Sequence, residues 1–223
     1  RQAVGRIRRA GYACQVVRQG DLTPAALAEA VHAAEAFRDG AVERGFSMAL
    51  SRLGDPHDDD CLFVLCRDRD GRIRGLLRFV PWGADGLSLD LMRSDRAADN
   101  GLTEFMVVSA VEAAPGLGVH RVSLNFAVLR SVFARAEELG AGPVLRLWHR
   151  LLVAASRLWQ IESLYRANAK YQPAWQPRYL CFPTARDLPR IAVAALSAEA
   201  FLPGGRSAPH DLAPVGRSVV GLG

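Results

Sequence analysis

Lysine is nearly missing from this chain. Of 28 basic residues among 223, only Lys170 is a lysine, so arginine carries almost all the positive charge and the one lysine position stands out. Long apolar runs are missing too. Nothing approaches the roughly 18 continuous apolar residues of a membrane-spanning helix, and no basic-apolar-small signal peptide opens the chain. The four cysteines, Cys14, Cys61, Cys66 and Cys181, show no Cys-x-x-Cys spacing. Cys61 and Cys66 are an odd number of residues apart in a strand-like run and should face opposite ways. They are expected to be reduced core thiols in a cytoplasmic protein. Metal-ligand clusters are equally scarce: His57-Asp58-Asp59-Asp60 follows a Gly54-Asp55-Pro56 turn with no second cluster elsewhere, and reads as a solvated loop.

What is present is an ordinary globular composition. Half the residues are hydrophobic and 23% are charged, enough for a real core in one large or two small domains. A net charge of +5 and a pI of about 9.4 favour an anionic partner such as RNA or a membrane surface. The lone lysine sits in Lys170-Tyr171-Gln172-Pro173-Ala174-Trp175-Gln176-Pro177-Arg178-Tyr179-Leu180. Pro173 and Pro177 fix φ and push the residues before them towards extended conformations, so the segment is stiff and holds Trp175 and Arg178 at set angles.

Arg1 to Arg9 has the look of a basic helix, and with no initiator methionine the chain is expected to be part of something longer. Thr23-Pro24 supplies an N-cap and a first-turn proline for a helix through about Phe37. Leu62 to Cys66 and Ile73 to Val80 are apolar strands joined by Asp68-Arg69-Asp70-Gly71, an antiparallel hairpin, and Leu87 to Met92 is a third strand. A helix from about Leu102 to Ala114, a strand from Arg121 to Phe126, a helix from Leu129 to Leu139, a strand from Arg178 to Phe182 and a helix from Leu188 to Leu202 follow. Pro203 to Gly223 has linker composition.

Three antiparallel strands, helix, strand, helix and closing strand match the core order of the Gcn5-related acyltransferase fold, an α/β (α+β) class. Members that use coenzyme A cradle its pyrophosphate on a glycine-rich loop after the third of these strands. The nearest match here is Arg96-Ala97-Ala98-Asp99-Asn100-Gly101, where Asp99 replaces a glycine and sets a carboxylate against the phosphates. This disfavours acetyl-CoA.

Arg44-Gly45-Phe46-Ser47, Ser88-Leu89-Asp90-Leu91-Met92-Arg93, Asn100-Gly101, Leu124-Asn125-Phe126-Ala127 and the Lys170 to Leu180 segment, taken in order, resemble the catalytic domain of phosphatidylglycerol lysyltransferases, the multiple peptide resistance factor family. The resemblance runs from about Gly11 to Phe201 and is strongest to the actinobacterial form fused to a lysyl-tRNA synthetase. It implies a tandem of two acyltransferase-like units. Residues 1–55 would be the remainder of a truncated first unit, 56–202 the catalytic unit, and 203–223 a linker towards a following domain. It further implies lysyl-tRNA as donor, phosphatidylglycerol as acceptor, no cofactor in this domain, a synthetase domain in the same chain, a transmembrane domain upstream, and a place on the cytoplasmic face of a bacterial membrane. Lysyl-phosphatidylglycerol is a cationic lipid that protects against cationic antimicrobial peptides. Other members of the family use alanyl- or arginyl-tRNA.

Moving an aminoacyl ester between hydroxyls requires proximity of two anionic substrates, help in deprotonating the attacking hydroxyl, and donors for the tetrahedral oxyanion. The resemblance places functional residues on Asp90, for the acceptor hydroxyl or the donor's ammonium, and on Arg93, for the lipid phosphate or the tRNA end. Three residues apart on a strand, the two leave opposite faces unless the strand bends or has already ended. A strand-end salt bridge is the plain structural alternative. Lys170 and Arg178 fall on basic positions suited to phosphate or oxyanion, and Glu162, at a helix exit where an acid is unfavourable, on a position suited to the lysyl ammonium or to pairing with Arg166. Ser47 and Asn125 are further substrate-binding candidates; Ser47 could equally end a strand and Asn125 satisfy buried backbone. Leu145 to Gln160 alternates an apolar, tryptophan-bearing face with arginines, as a helix does at an anionic membrane or on a solvated core edge. Two other classes stay open beside the aminoacyltransferase: a coenzyme A-dependent acyltransferase acting on a small amine, and a non-catalytic tRNA- or membrane-tethering module.

Overall fold

A computed structural model describes residues 2–38, 52–125, 168–176 and 181–198. In chain order it contains α1 (Gln2–Arg9), β1 (Ala13–Arg18), α2 (Pro24–Arg38), β2 (Leu62–Arg67), β3 (Ile73–Trp82), β4 (Gly86–Ser94), α3 (Leu102–Ala113), β5 (Arg121–Ser123) and α4 (Leu188–Ala198). Thr23 caps α2 as its sequence predicts, its Oγ1 accepting from the Ala26 amide at 3.2 Å. The β2–β3 connection is the expected turn: Asp68 Oδ1 accepts from the amides of Asp70 and Arg72, and Gly71 takes φ +79°.

The strands form one five-stranded sheet in sequence order, antiparallel from β1 to β4, with β5 parallel to β4. β1 is an element the sequence reading did not pick out. It pairs with β2 along its whole length, so residues on both sides of the expected boundary near position 55 share one sheet. Of the expected closing strand, Cys181 and Phe182 have no strand structure. The remainder of that strand, the helices expected over 129–139 and 145–160, and the tail from 203 lie outside the described residues.

Alternation along the strands divides apolar side chains between the two faces. Leu62, Val64 and Cys66 of β2 and Leu77 and Phe79 of β3 point to α3 and meet Phe105, Met106 and Ala110, with Ile7 of α1 at the edge. Gly75 lets α3 come close, because a Cβ there would lie 2.9 Å from Leu102 and 3.0 Å from Met106. Phe63, Leu65, Ile73 and Leu76 point the other way, to Ala30 and Ala34 of α2. Cys66 lies in the α3-side core, whereas Cys61 lies beside Arg78, as their odd spacing predicts.

The register of β3 and β4 slips once. Arg78 pairs with Leu91 and Phe79 with Leu89, which leaves Asp90 as the extra residue of a β-bulge. A bulge turns consecutive side chains to one side of the sheet and bends the strand. The consequence is visible in the packing: Leu87 and Leu89 join the α3-side core, whereas Leu91 packs on the α2 side.

Candidate active site

The bulge decides what Asp90 and Arg93 can do together. In a regular strand they would leave opposite faces; here both meet the α2 side. Arg93 donates from Nη1 to the Ala34 carbonyl of α2 at 2.7 Å. Asp90 accepts from Arg78 Nη1 at 2.6 Å, with its side chain only 5% exposed.

Arg78 organises this region, and sequence reasoning missed it. Its side chain is completely buried, and it lies between Leu77 and Phe79, so its guanidinium points to the α2 side. Nη1 donates to Asp90 and to the Arg52 carbonyl at 3.0 Å; Nη2 donates to Asp58 Oδ2 at 2.6 Å and approaches Cys61 Sγ at 3.3 Å. Arg52 closes the network with two bonds to Asp58, at 2.9 Å from Nε and 2.6 Å from Nη2. Asp58 and Asp90 therefore flank the Arg78 guanidinium, and Arg52 also lies 3.8 Å from Asp55. The two flanking carboxylates let that guanidinium be buried, since an unpaired buried ion costs several kcal/mol, on the order of the desolvation penalty of a single charge. The Arg52 guanidinium and then Arg78 hold the Asp58 carboxyl below its ordinary value against the opposing pull of burial.

Asp58 corrects the expectation of a solvated loop. His57, Asp59 and Asp60 are exposed, but Asp58 is buried and belongs to the core network. The available signal lay on the partner: an arginine inside Leu76-Leu77-Arg78-Phe79-Val80 has to find a buried anion. Among the described residues no group of His, Cys, Asp and Glu is arranged to hold a metal ion.

Asn125 stands beside the bulge. Backbone pairing of β4 with β5 ends at Ser88 and Ser123; just beyond, Asn125 adopts φ +68° and its Nδ2 donates to the Leu89 carbonyl at 3.2 Å. Its amide thus satisfies a backbone acceptor next to Asp90. Lys170 is placed differently. Its Nζ, on an exposed side chain, meets Oε1 of the half-buried Glu104 of α3 at 3.1 Å, while Tyr171 packs against the α3-side core and burial pushes its phenol up to about 12. Ser47, Glu162 and Arg178 lie outside the described residues.

The loop before α3 departs from a phosphate cradle in its neighbours as well as its sequence. Gly101 takes φ +99°, but a Cβ there would meet Ala3 of α1 at 3.1 Å, and Arg6 Nη2 donates to the Asn100 carbonyl at 2.6 Å. α1 therefore lies against this loop. Burial raises the phenol of the neighbouring Tyr12, with the Asp99 charge adding to the shift.

A bulged fourth strand, α3 and α2 on opposite faces of the sheet and a fifth strand parallel to β4 define a mixed α/β domain that follows the expected acyltransferase-like order as far as β5. A family model described as "Phosphatidylglycerol lysyltransferase, C-terminal" matches residues 1–182, and the chain belongs to that family. Among its relatives, the lysylphosphatidylglycerol biosynthesis bifunctional protein LysX of Mycobacterium avium is 54% identical over 202 residues. The protein of the same name from Mycobacterium tuberculosis strain H37Rv is 51% identical over 202 residues. In both comparisons 91% of this chain is covered but only 17% of the relative, so the chain spans about a sixth of the length of these curated relatives. Two solved structures share the fold. One is a C-terminal DUF2156 domain from Agrobacterium fabrum, with TM-score 0.64, 21% identity, and 92% of this chain and 60% of that one covered. The other is the L-PGS of Bacillus licheniformis, with TM-score 0.60, 18% identity, and 92% and 59% covered.

Proposed function

We propose that this chain carries the aminoacyl-transfer step that makes lysyl-phosphatidylglycerol, with lysyl-tRNA as donor and the glycerol hydroxyl of phosphatidylglycerol as acceptor. The observation that carries the reading is the β4 bulge, which turns Asp90 and Arg93 to one face beside a buried arginine–carboxylate network. Family membership supplies the reaction class.

In this reading the acceptor hydroxyl oxygen attacks the aminoacyl carbonyl carbon, a tetrahedral oxyanion forms, and the ribose oxygen leaves with a proton. Asp90, held by Arg78, polarises the acceptor hydroxyl or holds the donor's ammonium. Arg93 faces the lipid phosphate or the tRNA end, where a bidentate guanidinium suits phosphate geometry. Lys170 and Arg178 serve phosphate or oxyanion, Glu162 the lysyl ammonium, and Ser47 and Asn125 the positioning of substrate. The work takes place at the cytoplasmic face of the membrane, with a synthetase domain in the same protein supplying the donor; the curated relatives are named as bifunctional.

The test is incubation of the chain with radiolabelled lysyl-tRNA and phosphatidylglycerol vesicles. Label should become lipid-soluble. If label stays with tRNA while acetyl-CoA binds at micromolar concentration, the coenzyme A alternative replaces this reading. The acid at Asp99 and the packing of α1 on the Asn100–Gly101 loop argue against that result.

A further inference from the structure

Cys14 of β1 and Cys66 of β2 are direct partners across the antiparallel pair, and both side chains belong to the α3-side core. Directly opposed residues in such a pair have Cα atoms about 4.5–5.5 Å apart. Disulfides span Cα distances of about 4.4–6.8 Å, so the backbone already holds these two within bonding range. The two thiols differ in surroundings. Cys66 is fully buried in the α3-side core. Cys14 is half-buried and lines a solvent-open cavity of about 620 Å³ between α1, β1 and α3, together with Arg8, Tyr12, Phe105, Ser109 and Glu112.

We propose that Cys14 is an oxidation site for small hydroperoxides, with Cys66 as its resolving thiol, and that the product is a Cys14–Cys66 disulfide. The cavity gives a small oxidant access to Cys14 while shielding Cys66. Access assigns the order of events: Cys14 borders the cavity and meets the oxidant first, whereas Cys66 is fully buried and is reached only through Cys14. Cys14 reacts through its thiolate, the nucleophilic form of the group. In the first step the Cys14 sulfur attacks one peroxide oxygen; an S–O bond forms, the O–O bond breaks, and the leaving oxygen takes up a proton as water or alcohol. Sulfur loses two electrons and the peroxide gains them. In the second step Cys66 attacks Cys14 Sγ, the S–S bond forms, and hydroxide leaves with the Cys66 proton as water. Nothing in the aminoacyl transfer requires this pair, which lies on the α3 side of the sheet, away from the face that Asp90 and Arg93 meet.

Peptide mapping of the reduced chain after exposure to hydrogen peroxide tests the assignment without any variant. The expected principal product is a peptide linked through Cys14 and Cys66 that dithiothreitol releases. Cys66→Ala should accumulate a sulfenic acid at Cys14 that dimedone traps, and Cys14→Ser should leave Cys66 unmodified. The proposal is overturned if Cys14 and Cys66 stay as thiols while the exposed Cys181 is oxidised. It is equally overturned if Cys14 reaches the sulfinic state with no linked peptide.

Discussion

The two faces of the sheet are built on different principles. Among the described residues, the α3 face buries fourteen residues in one apolar cluster, whereas the α2 face buries six and fills the rest with Arg78, Asp58 and Asp90. Apolar packing on the first face is non-directional and stabilises in proportion to buried area. The charged set on the second is directional: it holds Asp90 in one orientation and contributes little net stability over an apolar replacement of the same volume. Stability is concentrated on one side and orientation on the other, and the candidate catalytic pair lies on the side that orients.

Removing the centre of the polar face should have the largest effect. Arg78→Ala takes the buried guanidinium away from Asp90 and leaves Asp58 to Arg52, so stability should fall by about 3–5 kcal/mol in urea unfolding, and lysyl transfer should fall with it. Replacing the set together, Arg78→Met with Asp58→Leu and Asp90→Leu, sharpens the comparison. Most of the stability should return while transfer stays absent. Recovery of transfer would show that the network only holds the fold.

On the apolar face, Leu77→Ala should cost about 2–5 kcal/mol by loss of buried surface and cavity formation, with activity per folded molecule unchanged at a temperature where the variant is native. A drop in that specific activity would break the division between faces.

Asp58 makes the polar face sensitive to acid. Its folded carboxyl lies below the ordinary value of 3.8, so its stabilisation is fully present above that pH and is lost as pH falls through the folded value. Asp58→Asn should lower stability near neutrality and flatten the acid limb of stability against pH. An unchanged limb would remove Asp58 from the network's energetics.

The smallest effect is expected at Lys170. Its exposed pair with Glu104 is worth less than about 1 kcal/mol, so Lys170→Ala should leave urea unfolding almost unmoved. Its effect on lysyl transfer separates a substrate contact from a surface ion pair.

Much of the frame was legible because it depends on local rules. The Thr23 cap, the Asp68–Gly71 turn and the apolar strands β2 to β4 follow from residue type and period, and the helix of α3 from its apolar spacing. β1 was not: Ala13–Arg18 mixes polar and apolar residues without a clean period-2 pattern, and pairing with β2 makes it a strand. Asp58 was misread because an aspartate run is usually solvated, and its partner lies 20 residues away inside an apolar strand. The bulge at Asp90 has no local signature. It is set by the register of two strands, and that register decides whether Asp90 and Arg93 share a face.

The most direct measurement is therefore made on Asp90→Asn, by following label from lysyl-tRNA into phosphatidylglycerol beside an unfolding curve that confirms a native variant. If Asp90 acts at the reacting centre, transfer falls by at least about a hundredfold in folded protein. Transfer within a few-fold of the unsubstituted chain, in a variant that unfolds cooperatively, would contradict the account and move the chemistry away from the α2 face.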